Sequence, residues 1–351
     1  MEKALGCDFY FGNNTYGSIK KMDYVLFNKM VIEFPFKIIK KPFYYLQGES
    51  KLSNLDYNYY IITGQPYDIT AWILIIKNFF KGKRTYIWNH GFYGKETGIQ
   101  LILKKLQAKL VTGYFLYGNY AKDLMLGMGI PQQKLKVVYN SLDYQKQFEV
   151  RKTLKHSAIL KNYFNNSDST LLFIGRLTQI KKLDLLLDAL HRLNSIHKPC
   201  NLIIIGEGSE CEKLRDKSER MGLSNRVWFY GACYDESILG ELIYNSDLCV
   251  SPGNVGLTAI HSMGYGTPVI THDNFKNQMP EFEVIVKNKT GSFFSENNLQ
   301  SLVNVIENWI TMYPKKSDKV MKECFDRIDR FYNPHYQIKI FKETLFEDFT
   351  N

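Results

Sequence analysis

Short apolar runs alternate with longer stretches in which apolar residues return every three or four positions, and this alternation starts near residue 57. "YNYYIITG" reads as a strand and "YDITAWILIIKNFF" as a helix. "RTYIWNHG" is followed by "KETGIQLILKKLQAKL", and "VTGYFLYGN" by "YAKDLMLGMGI", before "KLKVVYNSLD" closes the series. β-rich runs separated by helical segments predict parallel strands joined by crossover helices. No comparable rhythm organises the first 55 residues.

A polar break, Asn165-Asn166-Ser167-Asp168-Ser169, follows a less regular stretch and reads as a linker region. The alternation then restarts: "TLLFIGRL", "CNLIIIGEG", "RVWFYG" and "LCVSPG" as strands, "KLDLLLDALHRLNSI", "SECEKLRDKSERMGL" and "ESILGELIYNSD" as helices. Two successive series predict an α/β chain with two Rossmann-like domains, residues 1–155 and 156–332.

Charge adds an asymmetry. Residues 1–155 hold 23 Lys+Arg against 11 Asp+Glu, and residues 156–351 hold 22 against 24, so the excess behind the formal +10 lies in the first half. Such a half suits an anionic partner (a phosphorylated substrate, a membrane surface or nucleic acid) or is a solvated lysine-rich surface. The basic residues form no recognisable nucleic-acid module. "AWILIIKNFFKGKRTYIW" mixes Trp72, Phe79 and Phe80 with Lys77, Lys81, Lys83 and Arg84, which fits a membrane interface or a buried helix followed by a basic loop. No run of about 18 apolar residues occurs, and the first residues lack a basic-then-apolar leader pattern. The six cysteines have no metal spacing and no histidine cluster suggests zinc, so the chain is expected to be cytoplasmic, with reduced thiols and no bound metal.

Candidate chemistry gathers at strand ends of the second half. In open parallel sheets, ligands bind beyond the carboxyl ends of strands, where helix N-termini offer unpaired N–H groups and a favourable dipole to an anion. In "PGNVGLTAIHSMGYGTPVIT", Gly253, Asn254, Val255 and Gly256 form the loop after a strand, and Leu257 opens a helix. Gly253 and Gly256 would let a ligand approach the backbone. Leu257 and Ile260 fall on the expected core face, and Thr258 and His261 on another. Thr258 offers a phosphate both its hydroxyl and its N–H. "IGRLTQIKKLD" places Gly175 and Arg176 at a strand end and Lys181-Lys182 at the next helix start, a fork and a point charge suited to a diphosphate. "IIIGEG" adds Gly206 and Gly208, again as points of close ligand approach. It lacks the full dinucleotide fingerprint, so a nucleoside-diphosphate ligand is favoured over a nicotinamide one.

"LLFIGRLTQIKKLDLLLDAL", "LIIIGEGSECEKLRDKSERMGLSNRVWFYG" and "SDLCVSPGNVGLTAIHSMGYGTPVI" together resemble family 4 (group 1 type) glycosyltransferases of the GT-B fold, over roughly residues 110–295. "YGNYAKDLMLGMGIPQQKLKVVYNSLD" is similar to the segment joining their domains. The resemblance implies two Rossmann-like domains facing across a cleft, the nucleotide-sugar donor on the second and the acceptor on the first. It also implies a last helix, about 333–351, returning to the first domain, and retaining, metal-independent chemistry with no cofactor beyond the nucleotide-diphosphate sugar. By resemblance Arg176 and Lys181 hold the diphosphate, and Gly256, Leu257 and Thr258 form the phosphate-binding helix start. The family carries two glutamates eight positions apart around this helix, one for the donor sugar and one for the ribose. Here Gly253 and His261 stand in those places, so His261 is expected to meet the ribose in place of a carboxylate.

On the acceptor side, His90 ends the strand "RTYIWNH", with Gly91 and Gly94 beside it; by resemblance it lies near the donor sugar, able to bind a hydroxyl or act as a base. Lys95 is placed to reach an acceptor phosphate. "GNNTYG", Gly12 to Gly17, reads as a Gly-rich loop after a first strand. The expected activity is transfer of a sugar to a glycan or a polyprenyl-diphosphate-linked saccharide in surface polysaccharide assembly (capsule or O-antigen), in the cytoplasm or peripherally at the inner membrane face. The rivals are a catalytically silent relative serving as a binding or regulatory subunit, and a nucleotide-sugar epimerase on the same fold.

Overall fold

The computed structural model describes residues 1–14 and 23–346. Its contacts divide the chain into two compact units, Met1–Val138 with His335–Asn351, and Tyr139–Pro334.

The first unit opens with α1 (Glu2–Leu5), a parallel pair β1 (Tyr10–Gly12) and β2 (Ile32–Phe34), and an antiparallel pair β3 (Phe36–Lys40) and β4 (Phe43–Leu46). These short strands are the part without sequence rhythm. Gly12 lies in β1, and Thr15–Gly17 of the expected Gly-rich loop fall outside the described residues. The expected series then appears: β5 (Tyr59–Ile62), α2 (Ile69–Phe80), β6 (Arg84–Asn89), α3 (Gly98–Leu110), β7 (Gly113–Leu116), α4 (Asn119–Gly127) and β8 (Leu135–Val137). The four strands form a parallel sheet in sequential order. Asp68 caps α2, its carboxylate accepting from the amides of Thr70 and Ala71. Ile75 of α2, Ile87, Leu116 and Met125 pack into one fully buried cluster on the sheet.

The second unit contains α5 (Tyr144–Thr153), α6 (Ile159–Phe164), β9 (Ser169–Ile174), α7 (Leu183–Ser195), β10 (Cys200–Ile205), α8 (Cys211–Arg220), β11 (Val227–Gly231) and α9 (Glu236–Asn245). It continues with β12 (Leu248–Ser251), α10 (Leu257–Gly264), β13 (Val269–His272), β14 (Gly291–Phe294), α11 (Leu299–Met312) and α12 (Asp318–Phe331). The sheet is parallel in the order β11-β10-β9-β12-β13-β14. The chain starts in the middle at β9, builds outward to β11, and crosses back to lay β12 beside β9. That reversal creates a switch point at the carboxyl ends of β9 and β12, the place where open sheets of this kind bind ligands. The buried run of β10, with Leu202, Ile203 and Ile204 fully enclosed, reflects helices on both faces.

The units meet at Val138/Tyr139 and Pro334/His335 rather than at 155 and 332. Residues 139–155 go with the second unit because α5 packs on α9 and α10. The polar run at 165–169 is no linker. Asn166 exchanges side-chain hydrogen bonds with Asn201 of β10, and Asp168 pairs with Arg226, so the run is bonded to the sheet. The last helix, α13 (Pro334–Phe346), places Phe341 against Phe115, with ring centroids 4.1 Å apart, and Leu345 in the same cluster as Tyr86 and Val138. It thus belongs mostly to the first unit; residues 347–351 lie outside the described ones.

Candidate functional site

The loops after β9 and β12 are built as one piece. Gly253 donates its amide to the Lys181 carbonyl (3.0 Å), and Lys181 Nζ donates to the Asn254 carbonyl (2.7 Å) and to Asn254 Oδ1 (2.9 Å). A Cβ on Gly253 would sit 2.0 Å from the Ile180 carbonyl oxygen; one on Gly206 would sit 1.9 Å from that of Gly175, and one on Gly208 2.3 Å from that of Leu177. These glycines therefore let backbone approach backbone. The space their missing side chains leave is filled by neighbouring loops, so at Gly206 and Gly253 the glycine serves loop packing. Gly256 differs, since a Cβ there would meet nothing closer than Met279 Cγ at 3.8 Å. Gly175, at φ +145°, adopts a backbone conformation that other residues avoid.

Gly256 is the N-cap of α10, and no side chain caps this helix. Its first amides thus have no intrahelical acceptor. The Thr258 hydroxyl donates to the Ile174 carbonyl (2.8 Å), so its one proton is committed to the end of β9 and only the backbone N–H stays on offer. Val255 is buried, and its amide donates to Gln278 Oε1 (2.7 Å), while Gln278 Nε2 donates to Thr271 Oγ1 and the His272 carbonyl. Gln278 thereby pins the α10 loop to the end of β13. Of the two residues expected on the core face, Ile260 is buried, with Ala259 and Met263, whereas Leu257 is 42% exposed.

Charge at this corner is positive and partly buried. Arg176 is exposed, and its guanidinium together with burial pushes Lys181 below the ordinary lysine range, with Glu281 opposing them. Lys182 turns away to Glu296 (3.0 Å) and Asn297. Glu281 is 2% exposed; its Oε1 accepts from Asn140 Nδ2 (2.8 Å), and its Oε2 has no hydrogen-bond partner. Burial raises the Glu281 carboxyl above its usual range, against the Asn140 bond and the Lys181 charge.

His261 does not stand free on its helix. Its Nε2 lies 2.8 Å from Glu236 Oε1 in the first turn of α9, and the same oxygen accepts from Tyr265 OH (2.7 Å). Burial raises the Glu236 carboxyl, but the hydrogen bond and charge of His261 and the Tyr265 hydroxyl outweigh it and hold it down at about 2. An ionised carboxylate so held makes His261 Nε2 the donor. The imidazole expected to meet a ribose therefore has one of its two ring nitrogens bonded to a carboxylate from a neighbouring helix.

In the first unit, His90 follows β6. Its ring stacks on Tyr93 (5.9 Å) and meets Tyr117 edge-on (5.0 Å). Burial and the Lys104 charge lower its pKa, so the imidazole is neutral at pH 7. Glu96 binds the amides of Tyr93 and Gly94 and the ammonium of Lys104, fixing the loop that carries His90. Lys95 is exposed, its ammonium 5.4 Å from the Tyr93 ring centre. Among the described residues no group of His, Cys, Asp or Glu is placed to hold a metal ion, and the six cysteines are unpaired.

The structure thus brings Gly175, Arg176, Lys181, Asn254, Gly256 and Thr258 to one corner of the second unit. Reading the sequence missed Gln278, Glu281, Asn140 and Glu236. The only signal for the first two was a polar "NQMPE" in the loop that follows an apolar strand, which periodicity does not weigh.

Residues 157–324 match the family described as glycosyl transferases group 1. An uncharacterized glycosyltransferase of Methanocaldococcus jannaschii is 25% identical over 195 residues, 54% of this chain and 44% of the relative. A lipopolysaccharide 1,6-galactosyltransferase of Salmonella typhimurium is 24% identical over 231 residues, 64% of this chain and 58% of the relative. The matched stretch spans about half the length of such curated relatives. Among solved structures, the lipopolysaccharide outer core galactosyltransferase WaaB in its apo form superimposes with a TM-score of 0.66 at 20% identity, over 86% of this chain and 78% of the other. Anabaena HepE in complex with UDP and glucose does so with a TM-score of 0.63 at 18% identity, over 89% and 85%.

Proposed function

We infer that this chain, a GT-B protein whose residues 157–324 belong to the group 1 glycosyl transferases, moves a sugar from a nucleotide-diphosphate sugar to a saccharide or lipid-linked saccharide acceptor. The observation that carries this reading is the meeting of Arg176, Lys181 and the uncapped start of α10 at the β9/β12 switch point. Two cationic side chains and a helix N-terminus match the charge of a diphosphate. HepE, of the same fold, was solved with UDP-glucose. Surface polysaccharide assembly is the setting suggested by the Salmonella relative and by a Klebsiella pneumoniae relative described as a protein in the cps region.

Catalysis in this reading is electrostatic. As the bond between sugar and diphosphate breaks, negative charge grows on the departing phosphate, and Arg176, Lys181 and the α10 amides stabilise it where it forms. In a retaining course the leaving phosphate takes the acceptor's proton. The neutral His90 of the first unit serves a sugar hydroxyl as acceptor or donor, and Lys95 an acceptor phosphate. The reaction requires no cofactor besides the nucleotide sugar.

A silent binding protein is the second reading. It is favoured by Gly253, whose loop has no room for a glutamate side chain. One assay separates the two: incubation with a panel of nucleotide sugars, scored for released nucleoside diphosphate. Release by the parent protein that Arg176→Ala abolishes supports the transferase. Binding without release, with every acceptor tried, supports the silent relative.

A further inference from the structure

The two helices on one side of the first unit leave an unusual surface. α2 buries Thr70, Ala71, Leu74, Ile75 and Asn78, yet exposes Ile73, Ile76, Phe79 and Phe80, the last at 82%. α3 packs beside α2 and exposes Ile99, Ile102 and Leu106, at 60%, 59% and 44%. Ile73, Ile76 and Phe80 share one helical face by their spacing, as do Ile99, Ile102 and Leu106. Both helices therefore carry an apolar stripe outward as well as one inward. Scattered apolar residues on a surface need no explanation, but seven on two adjoining helices form a patch of the kind that marks an interaction site.

The charge around the patch identifies its partner. Residues 69–110 hold eight Lys+Arg and one acidic residue, Glu96, and Glu96 is buried against Lys104. Lys77 on α2 and Lys105 and Lys109 on α3 are exposed beside the apolar stripes. Neither helix carries an acidic side chain. Phenylalanine and isoleucine inserted at the headgroup boundary, with lysines meeting acidic headgroups, is the pattern of a helix lying in a membrane interface. No helix among the described residues is long and apolar enough to cross a membrane, so this contact is lateral.

We propose that the exposed α2/α3 face docks the protein on an anionic lipid bilayer, with Ile73, Ile76, Phe80, Ile99, Ile102 and Leu106 entering the interface and Lys77, Lys105 and Lys109 contacting acidic headgroups. This deepens the reading of a lipid-linked acceptor, though it rests on separate residues, so the two can fail independently. Flotation of the full chain with vesicles, without any sugar substrate, tests the surface alone. Vesicles of phosphatidylcholine mixed with phosphatidylglycerol should carry the parent protein upward, and added salt should weaken this. Ile76→Ser/Phe80→Ser and Ile102→Ser/Leu106→Ser should each lower the bound fraction at least about tenfold, and Lys77→Glu/Lys105→Glu/Lys109→Glu should remove the preference for anionic vesicles. Circular dichroism and nucleoside-diphosphate binding of the same variants report whether they are folded. Folded variants that float like the parent overturn the proposal. So does a parent that stays below both vesicle types, and so does an ultracentrifuge result in which the parent is a dimer and the variants are monomers, since the face would then bind a second copy.

Discussion

Two carboxyls near the β9/β12 corner are shifted in opposite directions, Glu236 down and Glu281 up. Glu236 is held at about 2 by His261 and Tyr265, below its unfolded value, so it contributes stability that is fully present above about pH 4.5 and drains as the pH falls toward 2. After allowance for screening at a partly exposed site this amounts to about 1–2 kcal/mol. Urea unfolding of Glu236→Gln should show a loss of that size at pH 7 and little difference from the parent near pH 2. Glu281 is raised by burial, so the folded state resists its ionisation and stability falls as the pH rises through 4.5 toward the folded value. Glu281→Gln keeps an acceptor for Asn140 and discards the buried charge. Its melting temperature should exceed the parent's at pH 7 and match it at pH 4. An equal or lower value at pH 7 would mean that the ionised carboxylate, through Lys181, is what the fold requires.

The loops are where the sequence was half legible. The strands β9, β10 and β12 stand out as unbroken apolar runs, and the glycines after them correctly marked places of close approach. What approaches was not legible, because a glycine reads the same whether its neighbour is a phosphate or a carbonyl from a distant part of the chain, as Gly206 and Gly175 show. Apart from a first strand ahead of Gly12, the early strands β2 to β4 escaped notice because they are short and partly exposed, without alternation to reveal them. His261 lies on the helix expected for it, but its partner Glu236 lies on another element, and single-helix reasoning cannot supply it. One substitution pair tests the loop account. Gly253→Ala drives a Cβ into the Ile180 carbonyl and should destabilise by about 1–3 kcal/mol, as overpacking does. Gly127→Ala, in α4 with open space around it, should be neutral or stabilise by about 0.5–1 kcal/mol. Equal melting temperatures for the two variants would mean the β9 and β12 loops are not locked together.

At the scale of the whole chain, charge is distributed unequally between the two halves. The nearly neutral second half sets Arg176 and Lys181 at the β9/β12 corner, while the basic first half carries lysines beside apolar stripes on α2 and α3. The two-series reading of the sequence anticipated the α/β architecture because hydrophobic periodicity repeats twice. It misplaced the division between the units because residues 139–155 show which unit they join only through packing. The central claim is that the β9/β12 corner of the second unit holds a nucleoside diphosphate, and calorimetric titration of the parent and of Arg176→Ala with uridine, adenosine and guanosine diphosphates tests it most directly. At least one of them should bind the parent, and the variant should bind it more weakly by about 1.5–3 kcal/mol, or about 10- to 150-fold, as for the loss of a hydrogen bond to a charged group. Equal affinity in the two proteins, or no binding of any diphosphate by the parent, would contradict it.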